Sequence, residues 1–83
     1  MLGLMQDWPL TVDKIIDHAK NWHGSREVVT RSVEGPIMRT TYGDIHARSK
    51  RVSNVLKGWD VKVGDRVATL AWNSGRHIET WYG

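Results

Sequence analysis

The chain has 83 residues, carries a net charge of +3 and contains no cysteine. That bounds it to one small domain or a piece of a larger one, and excludes a disulfide framework, a thiolate metal site and a cysteine nucleophile. Hydrophobic residues at 40% and charged residues at 25% are ordinary globular values and exclude disorder, and no apolar run approaches the ~18 residues of a membrane span.

The N-terminus, MLGLMQDWPL, lacks the basic start and long apolar run of a secretory signal, so a cytoplasmic location is expected. A +3 charge suits simple solubility as well as a phosphate-bearing partner. Five Trp and no Phe hint that the natural core is larger than this chain.

Residues 10–22 predict a helix. Val12, Ile15, Ile16 and Ala19 fall at i, i+3, i+4 and i+7, which makes one apolar stripe. Thr11 is the expected N-cap, Leu10 and Ile15 have hydrophobic-staple spacing, and Gly24 is the expected stop. Residues 27–33 and 37–40 read as two strands rich in β-branched side chains. Glu34-Gly35 between them predicts a tight hairpin in which Gly35 supplies a positive φ.

Thr41 with Asp44 three residues on has capping-box form and predicts a second helix over 42–57, ended by Gly58. Ile45, Ser49, Val52 and Leu56 form its inner stripe. His46, Arg48, Lys50, Arg51, Asn54 and Lys57 form its wet face, and Asp44 is expected to pair with Arg48. Residues 62–65 predict a turn. The nearly continuous apolar run 66–72, RVATLAW, predicts a strand covered on both faces, as in a parallel sheet. Asn73 or Ser74 then caps a third helix with Ile78, Trp81 and Tyr82 on its apolar face, which the chain leaves after about two turns. The order is helix, β-hairpin, helix, buried strand, start of a helix: an α/β layer whose next strand is expected beyond residue 83.

Chemistry-bearing residues are few. His18 and His23 are five apart, and His46 and His77 stand alone, so solvated or capping histidines are favoured over a metal site. The junction Asn73-Ser74-Gly75 could hold a phosphate at a helix N-terminus, but it matches no phosphate-loop pattern, and a plain cap is favoured. Ser74 has no identifiable base. Arg48, Lys50, Arg51 and Lys57, with Arg39, could follow a phosphate backbone, yet no aromatic is interleaved and a solvated face is favoured. Trp59, Trp72 and Trp81 could form a stacking platform; packing in a core or interface is favoured. Local chemistry therefore assigns no catalytic, cofactor-binding or metal-ligating residue.

Motif order adds what local chemistry does not. Thr41-Tyr42-Gly43-Asp44-Ile45 is followed by Val52, Val55 and Leu56, and then by Val63-Gly64-Asp65-Arg66-Val67-Ala68. This succession resembles the N-terminal region of the adenylate-forming superfamily. The stretch 67–73, with Arg76-His77-Ile78-Glu79 and Trp81-Tyr82-Gly83, is similar to the fatty-acyl-CoA synthetase branch, the medium- and long-chain fatty-acid–CoA ligases. Trp8-Pro9-Leu10-Thr11 and Arg26-Glu27-Val28-Val29 are similar to that branch too.

The resemblance implies a parent enzyme that converts a fatty acid, ATP and CoA into acyl-CoA, AMP and pyrophosphate through an acyl-adenylate, with Mg²⁺. It implies that residues 1–83 are part of the large AMP-binding domain. The remainder of that domain and a small C-terminal domain would then lie elsewhere. It carries no catalytic, ATP, CoA or Mg²⁺ residue onto these positions, so the 83 residues alone are expected to be inactive. A homodimer through the N-terminal region is a further implication, and no nucleic acid is expected. The alternative readings are a small basic nucleic-acid-binding module, resting on charge, and an oligomerisation module, resting on the Trp content.

Overall fold

The computed structural model describes residues 3–83. It contains α1 (Asp13–His23), β1 (Glu27–Arg31), β2 (Ile37–Thr41), α2 (Tyr42–Gly58) and α3 (Gly75–Tyr82). The chain is thus a small α/β assembly with one two-stranded antiparallel sheet among the described residues.

Helix α1 forms where the apolar stripe predicts, but its start differs. Val12, not Thr11, is the N-cap; it already has helical φ and ψ of −61° and −31°, and no side chain caps the helix. The Thr11 hydroxyl donates to the Asp13 carboxylate, a charge-assisted hydrogen bond. That bond comes first among the causes holding the Asp13 carboxyl below its usual range; desolvation opposes it, and Lys14 adds to the lowering. Leu10 and Ile15 both stay exposed, so the staple spacing buries nothing here. Gly24 follows the helix, as expected, without a positive φ. Its value lies in close approach, because a Cβ would sit 2.6 Å from the Lys20 carbonyl oxygen. The Gly24 carbonyl then accepts from the Gly43 amide at 3.0 Å, fastening α1 to the head of α2.

The hairpin pairs Val28 with Thr40 and Thr30 with Met38. The first strand stops at Arg31, two residues short of the expected end, and the second runs one further, to Thr41. The turn is wider than the sequence suggests: the Ser32 hydroxyl donates to the Pro36 carbonyl at 2.7 Å, and Gly35 keeps a negative φ. A side-chain bond across the loop thus replaces the tight glycine turn. Arg39 reaches Glu27 diagonally across the strands at 3.0 Å, the spacing at which charged cross-strand partners meet.

Helix α2 begins as the capping residue dictates. The Asp44 amide donates to Thr41 Oγ1 at 3.2 Å. The reciprocal half of the box is replaced, since the Asp44 carboxylate accepts from the Thr40 hydroxyl at 3.5 Å. The helix ends later than expected: Gly58 is its last residue, and Asp60 takes the left-handed conformation at φ 59°. Amides of Asp60 and Val61 return to the carbonyls of Lys57 and Leu56 at 3.0 and 3.3 Å. These are the two bonds of a Schellman ending, with Asp in the position glycine usually takes.

The largest departure concerns residues 66–72. The expected buried strand does not form; the run has no regular secondary structure and is exposed throughout. Leu70 is 104% exposed, and Val67 and Trp72 are exposed as well. A strand exists only by pairing, and residues 66–72 make no backbone ladder with either β1 or β2. The preceding turn does form, with the Lys62 amide on the Asp65 carboxylate at 2.9 Å and Gly64 at φ 95°.

Helix α3 is capped by Ser74, whose hydroxyl accepts from the His77 amide at 3.3 Å. Its apolar face is partly realised: Ile78 and Tyr82 are half-buried, whereas Trp81 is exposed and lies edge-on to Tyr82 at 4.9 Å.

Helix α2 is the hub, packed against α1, α3 and β2. The apolar core is slight: Ile45 at 0% exposure and Ile16 at 4%. Trp8, Trp22, Trp59, Trp72 and Trp81 are all exposed. The accessible surface is 7416 Å², whereas a folded monomer of 9.5 kDa presents about 5,000 Å². The radius of gyration is 15.4 Å, against roughly 12 Å for a compact chain of this length. The chain therefore exposes far more than a self-sufficient domain of its mass does.

Candidate functional site

A cleft of about 820 Å³ lies between the hairpin and the start of α3. Thr30, inward on β1, accepts the Gly75 amide on its Oγ1 at 3.0 Å, and this bond sets the far wall against the sheet. Arg31, Arg39, Arg48 and Arg76 lie along it, with Trp72 at its mouth. Two of the arginines are committed: Arg39 to Glu27 at 3.0 Å, and Arg48 Nε to Glu79 at 2.8 Å. The Glu79 side chain is 11% exposed and its Arg48 partner 52%, so the pair spans the boundary between the α2–α3 contact and the cleft. Chemically the cleft can hold charge and an apolar group. It presents no nucleophile activated by a base and no paired carboxylates set for acid–base work.

His46 Nε2 meets Asp17 Oδ1 at 2.8 Å and ties α2 to α1. His18 and His23 sit edge-on at 5.7 Å on α1. His77 Nε2 lies 3.1 Å from the Thr69 hydroxyl, tethering the run 66–72 to α3. The histidines do not converge, and no group of three or more His, Asp or Glu side chains is gathered among the described residues. Ser74 spends its hydroxyl on the cap and Gly75 its amide on Thr30, so two of the α3 N-terminal groups are already in use.

The expected Asp44–Arg48 pair is absent, because Arg48 turns to Glu79. The basic face of α2 is thereby broken: Arg48 is neutralised, leaving Lys50, Arg51 and Lys57 without an interleaved aromatic. Trp59, Trp72 and Trp81 do not stack on one another. Sequence reasoning missed the two long-range ties that build the cleft, Thr30–Gly75 and Arg48–Glu79. Strand alternation could have turned Thr30 inward, but nothing local marks Glu79 as the partner of Arg48.

Comparison with known proteins adds to this geometry. The family model described as AMP-binding enzyme matches residues 16–83. A 3-methylmercaptopropionyl-CoA ligase of Ruegeria lacuscaerulensis is 40% identical over 82 residues, 99% of this chain and 15% of that protein. A medium-chain-fatty-acid–CoA ligase of Ectopseudomonas oleovorans is 34% identical over 82 residues, 99% of this chain and 15% of that protein. A long-chain-fatty-acid–CoA ligase of Thermus thermophilus is 38% identical over 78 residues, 94% of this chain and 14% of that protein. The chain thus spans about 15% of the length of the relatives it matches most fully. With the matched family covering everything from the middle of α1 onward, the chain belongs to the AMP-binding enzyme family.

Proposed function

We propose that these 83 residues are an N-terminal part of the large AMP-binding domain of an acyl-CoA ligase. The parent joins a fatty acid to CoA with ATP, by way of an acyl-adenylate and with Mg²⁺, and releases AMP and pyrophosphate. The remainder of the large domain and a small C-terminal domain supply the chemistry. The observation that carries this reading is the extent of the match. Ligases acting on CoA align with 99% of the chain, including the stretch before residue 16 that the general family model leaves out. Exposed surface in excess of a self-sufficient domain supports it independently.

The residues present do not themselves fit ATP or Mg²⁺. No acidic or histidine cluster gathers among the described residues, and the sequence holds neither a G-x-x-x-x-G-K-[ST] loop nor a G-x-G-x-x-G loop. No step of the reaction is therefore assigned to them. Their role is mechanical: α2 carries α1, α3 and the hairpin as one support, and residues 66–72 present an extended apolar edge to the rest of the domain.

The parent is cytoplasmic in this reading; no helix of the described residues is long and apolar enough to cross a membrane. It pairs as a homodimer through the N-terminal region, where Leu10 and Val12, just before α1, and Ile15 in its first turn are apolar and exposed. The test is to assay the full polypeptide carrying this segment with ATP, Mg²⁺, CoA and a series of carboxylic acids. Acid-dependent pyrophosphate release followed by CoA thioester formation is expected. Release of neither product with any short-, medium- or long-chain acid overturns the reading.

A further inference from the structure

No further inference is drawn: the strongest candidate, the half-open cleft between the β-hairpin and the N-terminus of α3 with Arg31 and Arg76 along it, carries nothing because much of its wall is apolar and nothing in the structure shows what covers it.

Discussion

Ile45→Ala and Leu70→Ala remove similar side chains from opposite environments, and together they test how the chain is organised. Ile45 is fully buried in the first turn of α2, the helix against which α1, α3 and β2 pack, while Leu70 is 104% exposed in the run 66–72. Truncating a buried Ile costs about 2–5 kcal/mol, the lost transfer energy plus the cavity left behind. A core this small supplies only about 3–5 kcal/mol in all. In the 83-residue chain Ile45→Ala therefore removes most of the net stability, and the helical signal in far-UV circular dichroism collapses at low urea. Leu70→Ala in the same chain shifts stability by no more than about 0.5 kcal/mol, as for a free surface position. At an m-value of about 1 kcal/mol/M the two variants separate by roughly 2 M in urea midpoint. Loss of more than about 1 kcal/mol on Leu70→Ala in the 83-residue chain would refute the unpaired state of residues 66–72. In the full parent polypeptide the order changes: Leu70→Ala there costs about 2–5 kcal/mol if that edge is covered as proposed, and a neutral result sinks the proposed packing.

The helix ends and the half-buried Arg48–Glu79 pair carry further expectations. Thr41→Ala deletes the acceptor for the Asp44 amide and costs about 1 kcal/mol in chemical denaturation, while Thr41→Ser keeps it. Gly58→Ala stabilises by about 0.5–1 kcal/mol, because Gly58 is helical and a Cβ there meets nothing within 4 Å; a lower urea midpoint contradicts that geometry. Arg48→Ala costs more than Glu79→Gln, by about 1–2 kcal/mol, since it strands a nearly buried carboxylate whereas the reverse change leaves a half-exposed guanidinium in water. Equal costs in the two variants exclude this asymmetry. The lowered Asp13 carboxyl favours the folded state above the usual carboxylate range, and that contribution is lost as pH falls through its lowered value. Asp13→Asn accordingly flattens the acid limb of a stability–pH profile; an unchanged limb shows the Thr11 contact to be without consequence.

How much was legible in the sequence follows from the range over which each feature is determined. The existence of α1, both strands, α2 and α3 rests on periodicity and turn residues within a few positions, and all are present. Thr41 and Ser74 cap their helices because a cap bond reaches only three positions along the chain. The errors occur where two local solutions compete. Thr11 prefers the Asp13 carboxylate to a cap, Ser32 closes a wide loop where Gly35 suggests a tight one, and Asp60 rather than Gly58 turns the end of α2. Arg48 had a partner available one helical turn away in Asp44 and took Glu79 instead, across a contact that only the tertiary arrangement creates.

Residues 66–72 expose the remaining limit, and in doing so connect fold to function. Their composition predicts a strand covered on both faces, and no such strand forms, because composition cannot supply the neighbour. A β-strand is a property of a pair, whereas a helix satisfies its own backbone. The same seven side chains that predict burial are therefore exposed, next to a cleft whose wall they continue at Ala71 and Trp72. The apolar side chains stand ready while the backbone partners are absent from the described residues. A helix-only segment could have been judged by itself. In the function proposed above this run is one member of a larger sheet; the family itself was identified by the motif succession across residues 41–83, not by any local constellation of chemical groups.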